Sequence, residues 1–139
     1  MESNIAQILL IFGFSWSLVG CAIGFYQGVK HTSHRKKLEG LSRANDLEGY
    51  HTELARFKQK TNAHAHSMLF PVMLVLVALA IPQMNLPEQA ILILGVILIA
   101  ATVTWSIGGI MDLKPIKGLG DILLVISIII TAAGLYLNL

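Results

Sequence analysis

The chain has 139 residues, of which 55% are hydrophobic and 13% are charged, whereas an ordinary soluble domain is about 25% charged. A soluble domain of this size could not bury so much apolar surface, so the composition excludes that class and indicates an integral membrane protein. The formal net charge of +2 gives no indication of a nucleic-acid partner. The single cysteine, Cys21, excludes an internal disulfide and a thiolate metal cluster.

The chain contains four apolar runs long enough to cross a bilayer, which requires about 20 residues each. The sequence therefore predicts an all-α fold, an integral membrane four-helix bundle in one domain over residues 1–139, with the lipid bilayer as its surroundings. The predicted helices cover residues 5–29, 62–81, 88–111 and 119–138, and a charged loop covers 30–61. The second helix reaches a spanning length only if it begins near Asn62, which places His64 and His66 in its first two turns.

The basic residues are concentrated in one segment, and their distribution predicts the topology. Eight of the ten Lys and Arg residues lie between positions 30 and 60, and the other two, Lys114 and Lys117, precede the fourth predicted helix. By the positive-inside rule, both basic segments face the cytoplasm and both termini lie outside. We therefore expect a multi-pass protein of the cell inner membrane, whose basic loop contacts anionic lipid.

The charged loop contains an amphipathic pattern. Apolar side chains recur at intervals of three and four residues, at Leu47, Tyr50, Leu54 and Phe57. This spacing predicts a helix with one apolar face. The pattern leaves two placements open: the helix lies on the membrane surface, or it leads straight into the second span.

The first predicted helix carries small residues at four-residue spacing, namely Gly20, Gly24 and Gly28. Such spacing lets two helices approach closely inside lipid. The contact is either within the four-helix unit or between copies of the chain, and for so small a membrane protein we expect a homo-oligomer.

The predicted turns carry helix start and stop signals. Pro82 and Pro87 bracket the turn between the second and third helices. Asp121 follows Gly120 where the fourth helix is predicted to begin, and a carboxylate there would complement the helix dipole.

Two histidines lie close together at the start of the second apolar run. Residues two apart on a helix project about 200° from one another, so His64 and His66 cannot both ligate one metal if the segment is helical. They are either hydrated histidines at the membrane border or ligands, because an ionisable group within a membrane segment is a functional candidate. No cysteine or carboxylate lies nearby, so a haem with one axial imidazole and apolar walls is favoured over zinc or copper.

Several short motifs resemble the styrene oxide isomerase family of small four-helix membrane proteins. They are Ala63-His64 followed by Pro82 eighteen residues after the histidine, Leu94-Gly95, and Gly120-Asp121-Ile122. The resemblance implies an oligomeric, trimeric bundle that binds haem b with His64 as axial ligand. It also implies that ferric haem acts as a Lewis acid, converting a small apolar epoxide into a carbonyl compound.

Two positions depart from the isomerase pattern. Phe70 stands where the isomerases have an asparagine, and the third helix offers Trp105 where they have polar pocket groups. A haem protein that senses a gas, transfers electrons or belongs to a respiratory assembly is therefore the alternative function. A third possible function is that of a structural subunit that binds no haem and is therefore colourless.

A second resemblance covers seven residues. The stretch from His64 to Phe70 is similar to the His-Ala-His-Glu-Met-Leu-Phe stretch of the NnrS family, which are larger haem-containing membrane proteins linked to nitric oxide stress. It implies haem again, with His66 as the alternative axial ligand. The residues expected to contact the cofactor are thus His64, His66, Phe70 and Trp105.

Overall fold

A computed structural model describes residues 2–137 of the chain, and all the regular structure within them is helical. Four α-helices follow one another in the described residues, with a short 3₁₀ turn at Ile81–Gln83 after the second: α1 Glu2–Arg43, α2 Leu47–Ala80, α3 Glu88–Ile110 and α4 Lys114–Tyr136. Each is long and apolar enough to cross a membrane. The all-α, multi-pass prediction is confirmed, whereas the predicted helix end at residue 138 lies outside the described residues.

The first two helices are much longer than their apolar segments. At 1.5 Å per residue, the 42 residues of α1 extend about 63 Å, roughly twice the 30 Å hydrocarbon layer. The second half of α1 and the first half of α2 form a charged helical hairpin. Its tip turns at Asn45, which has a left-handed φ of 54°, and Asp46 caps α2 by accepting a hydrogen bond from the Gly49 amide at 2.9 Å.

The prediction of a loop over residues 30–61 is therefore corrected to a helical hairpin. The physical reason is that no proline occurs between Val29 and Phe70, so nothing stops either helix where the apolar residues end. The amphipathic helix takes the second of its two predicted placements and leads straight into the second span. His64 and His66 consequently lie about five turns into α2 and not in its first two turns.

A buried carboxylate ties the two arms of the hairpin together. Glu53 of α2 is only 5% exposed. It accepts hydrogen bonds from His34 Nδ1 at 2.9 Å and from Lys37 Nζ at 2.7 Å, both on α1. The hydrogen bond from Lys37 and then that from His34 hold the pKa of Glu53 below its ordinary value of 4.5. The ionised form of this carboxylate thus stabilises the hairpin.

Acid is therefore expected to loosen the hairpin. Because the pKa of Glu53 is lower in the folded hairpin than in the unfolded chain, its contribution is complete above pH 4.5 and is lost as the pH falls through the lowered value. Amide exchange over residues 30–60, corrected for intrinsic rates, should be faster at about pH 3.5 than at neutral pH. Glu53→Gln should exchange fast at both values, while Glu48→Gln, on an exposed position, should behave as wild type. Equal pH dependence in wild type and Glu53→Gln would contradict this assignment.

The four helices pack as two antiparallel pairs, α1 with α2 and α3 with α4, and α3 joins the pairs through its contacts with α2 and α1. One apolar cluster fills the end of the bundle away from the hairpin, and its buried members are Leu9, Leu74, Val77, Ala78, Ile81, Ile91, Leu94 and Leu98. A second, smaller cluster lies nearer the hairpin and consists of Phe70, Ala101 and Trp105.

Glycines set the closest helix contacts. On α1, Gly20 faces Met68 and Gly24 faces His64, whereas a Cβ at Gly28 would meet no described atom of another helix within 4 Å. Two glycines of the predicted stripe therefore pack within the bundle. Between α3 and α4, Gly120 lies directly against Trp105.

The fourth helix begins earlier than predicted. It begins at Lys114, with Pro115 in its first turn, where the fixed φ of proline suits a helix and its missing amide costs nothing. Asp121 lies seven residues inside α4 and is exposed, so the prediction that it opens the helix is wrong.

Candidate functional site

Three of the four residues expected to contact a cofactor lie together. The imidazole of His66 stacks on the indole of Trp105, with ring centroids 4.5 Å apart and planes 7° from parallel. Phe70, one turn further along α2, packs against the same indole at 5.6 Å. This group, which we call the α2–α3 aromatic group, consists of His66, Phe70 and Trp105. Phe70 and Trp105 are buried, and His66 is half-buried.

One ring nitrogen of His66 has a hydrogen-bond partner on its own helix. Its Nδ1 lies 3.0 Å from the backbone carbonyl of Asn62. A carbonyl oxygen only accepts, so Nδ1 is the donor, and in the neutral imidazole Nε2 then keeps its lone pair. Histidines that ligate metals usually donate the other ring N–H in this way, and the contact orients the ring. In the neutral ring, Nε2 is therefore the nitrogen of His66 that a metal could bind.

His64 lies apart from this group, on the side of α2 that faces α1. Its ring occupies the space left by the missing side chain of Gly24, and a Cβ at that position would overlap the imidazole. Its Nδ1 is buried and has no hydrogen-bond partner among the described residues. Leaving such a nitrogen unpaired costs about 1–3 kcal/mol, so His64 also carries an unused ligating atom.

The hydroxyls of α3 do not form a polar wall. Thr102 donates to the Leu98 carbonyl at 2.9 Å, and Ser106 donates to the Thr102 carbonyl at 2.7 Å. Ser106 also accepts from the indole N–H of Trp16 at 3.0 Å. These groups are satisfied within the bundle. The indole N–H of Trp105 is buried and has no partner within the described part of the chain.

The imidazole nitrogens of His64 and His66 are of the kind that haem iron binds. A cavity of about 770 Å³ lies between α1, α2 and α3, but neither histidine is among its lining residues. Among the described residues, no group of three His, Cys, Asp or Glu side chains is placed to hold a metal ion. A haem needs only one axial side chain, because the porphyrin supplies the equatorial ligands.

The residues at the mouth of this cavity were not anticipated from the sequence. Arg56 and Lys60 belong to the segment interpreted as a topology signal, and Tyr26 and Gln27 lie at the end of the first apolar run. The signal that could have found them is the spacing of Arg56, Lys60 and Ala63, which follow one another at intervals of four and three residues. On a continuous helix this spacing places them on one face.

The fold and composition together define a small multi-pass membrane protein with a long charged hairpin. Comparison of the chain with protein-family models, curated proteins and solved structures gives no match.

Proposed function

We propose that this protein binds haem b in the cell inner membrane, with an imidazole of the His64-Ala65-His66 segment as its axial ligand. The observation that carries the proposal is the hydrogen bond from His66 Nδ1 to the Asn62 carbonyl, which leaves Nε2 free as a ligating atom. The resemblance of the surrounding segment to two haem-binding families supports the same cofactor.

The geometry favours His66 over His64 as the ligand. The isomerase resemblance points to His64, but its ring is enclosed between α2 and Gly24 of α1. His66 lies at the α2–α3 contact, and its ring orientation is set by a hydrogen bond and by stacking on Trp105. The resemblance to the NnrS stretch also points to His66.

The chain's own residues would perform three tasks at such a site. His66 would hold the iron, Trp105 would fix the plane of the imidazole, and Phe70 would keep water away from it. The remaining wall would come from a second copy of the chain, in line with the homo-oligomer, and specifically the trimer, that we propose. Bound ferric haem would supply a Lewis acid, and the most specific activity implied by the resemblance is isomerisation of an epoxide to a carbonyl compound.

A specific observation favours a second candidate, a haem protein that binds a gas such as nitric oxide or transfers electrons. Phe70 is 1% exposed and packs against Trp105. It occupies the position at which the isomerases have an asparagine, so the aromatic group offers no polar side chain there to orient an epoxide. Membership of a respiratory assembly would fit the same observation.

The orientation that we propose follows from charge. The hairpin holds eight of the ten Lys and Arg residues, and the first turn of α4 holds the other two, so both regions would face the cytoplasm, and both termini would lie outside.

The visible spectrum of protein purified from haem-supplemented cells tests the haem proposal. We expect a Soret band that persists through gel filtration in detergent, and a colourless protein would overturn the proposal. Incubation of the ferric protein with an aryl epoxide then separates the two candidates. Aldehyde formation would identify an isomerase, whereas nitric oxide binding without aldehyde would identify the second candidate.

A further inference from the structure

The cavity between α1, α2 and α3 is a separate site from the histidine segment. Its volume of about 770 Å³ lies within the range of about 300–1,000 Å³ that small-molecule sites occupy. On α2 it extends from Arg56 to Ser67, which is about 16 Å along the helix axis at 1.5 Å per residue. It is therefore large enough for a whole small molecule.

The polarity of the cavity changes along its length. At the end away from the hairpin, its surface consists of small and apolar residues, among them Ala22, Ile23 and Ala63. The hydroxyl of Ser67, in the same region, is used in a bond to the His64 carbonyl at 2.7 Å. The Ser67 hydroxyl is therefore not free to bind a ligand, and this end of the cavity suits the hydrocarbon part of a ligand.

The end toward the hairpin is basic. Arg56 and Lys60 line it, and no Asp or Glu is among the lining residues. Among residues 4–137, neither cation takes part in an ion pair, while Lys37 and Lys117 do. Like charges four residues apart on a helix repel one another, so an anion bound between Arg56 and Lys60 would remove a repulsion as well as gain two attractions.

The side-chain amide of Gln27 at the mouth is already engaged, and Arg56 and Lys60 are the charged groups there. The side chain of Gln27 donates to the Lys60 carbonyl at 3.0 Å and joins α1 to α2 at the mouth. This bond holds α1 and α2 together at the mouth, beside Lys60.

We propose that this cavity binds an amphipathic anion, a single apolar chain or ring system bearing a carboxylate or phosphate head group. The apolar body would occupy the region of Ala22 and Ala63, and the head group would contact Arg56 and Lys60. A basic residue at a membrane border also attracts anionic lipid without forming a site. Lys58, which is exposed and not among the lining residues, provides the comparison for that effect.

Photo-crosslinking in phosphatidylcholine nanodiscs tests the proposal. The probes are a diazirine fatty acid, the corresponding lysophosphatidic acid, and the corresponding fatty alcohol as a neutral control. We expect saturable labelling by one or both acids, mapped to residues 19–27, 56–67 and 106–110. The alcohol should bind at least about tenfold more weakly, because it lacks the charge-assisted contact. The acid that saturates at the lower concentration identifies the head group.

Matched variants decide whether the cavity is responsible. Arg56→Gln and Lys60→Gln should each weaken saturable labelling about tenfold, whereas Lys58→Gln should leave it unchanged. Ala22→Phe, which fills the cavity, should abolish it, whereas Cys21→Phe, on the neighbouring exposed position, should not. Equal labelling by the alcohol, or equal effects of the Lys58 and Lys60 variants, would overturn the proposal. The Soret band is recorded on the same samples, so failure of this proposal is distinguishable from failure of haem binding.

Discussion

Replacement of Gly120 by leucine is expected to destabilise the packing of α3 against α4. A Cβ at position 120 would lie 2.9 Å from the backbone nitrogen and 3.0 Å from the Cα of Trp105. Backbone atoms cannot move aside as a flexible side chain can, so the two helices must separate. Overpacking of this kind typically costs about 1–3 kcal/mol of unfolding free energy, which is a large share of the stability of a small protein.

Gly118 provides the matched control for this substitution. It lies two residues away on the same helix, and a Cβ at this position would meet no described atom of another helix within 4 Å. Thermal unfolding in one detergent, followed by circular dichroism, should give a lower midpoint for Gly120→Leu than for Gly118→Leu. Equal midpoints for the two variants would mean that α3 and α4 do not approach closely at Gly120.

Replacement of His66 by alanine is expected to abolish stable haem binding. Loss of an outer hydrogen-bond partner typically weakens metal binding by roughly 10- to 100-fold, and loss of the ligand itself should exceed that. His64→Ala is the matched control, since it removes an imidazole two residues away that faces α1. The expected result is a Soret band that is lost in His66→Ala and retained in His64→Ala.

The opposite result for the two histidine variants would assign the axial ligand differently. Loss of the band in His64→Ala alone would assign the axial ligand to His64, as the isomerase resemblance implies, and the preference drawn from the hydrogen bond of His66 would be wrong. Added imidazole should restore part of the band in the variant that has lost its ligand, which separates loss of a ligand from misfolding.

The helical fold could be predicted from the sequence because lipid imposes a simple rule. A backbone inside hydrocarbon must satisfy its hydrogen bonds within the segment, so an apolar run of spanning length is a helix. The helix ends outside the bilayer obey no such rule. The apolar pattern ends near Val29 whereas α1 continues to Arg43, and only the lack of proline after Val29 indicates the continuation.

The start of the fourth helix shows a different difficulty. Both Pro115 and Asp121 are common near helix starts, and the apolar run alone does not decide between them. Lys114 and Lys117 are charged but still helical, and the structure places Asp121 on an exposed face within α4. A charge at the edge of an apolar run marks the end of the hydrophobic segment and not the end of the helix.

The candidate site could be predicted only in part. Helical spacing correctly placed His64 and His66 on different faces of α2. It could not show which face meets which neighbour, because that depends on the packing of α1 and α3. The stacking of His66 on Trp105 joins residues 39 positions apart, and no local pattern indicates such a contact. The cavity mouth was missed for the same reason, since it combines residues of three helices.

Titration of haem into the purified, haem-free protein is the most direct test of the central claim. The proposal predicts a Soret band that grows to saturation at a fixed stoichiometry, with the shift in position that accompanies imidazole ligation, and that is lost in His66→Ala. A linear increase without saturation, identical in wild type and in the His64→Ala and His66→Ala variants, would show only partition of haem into detergent and would contradict the proposal.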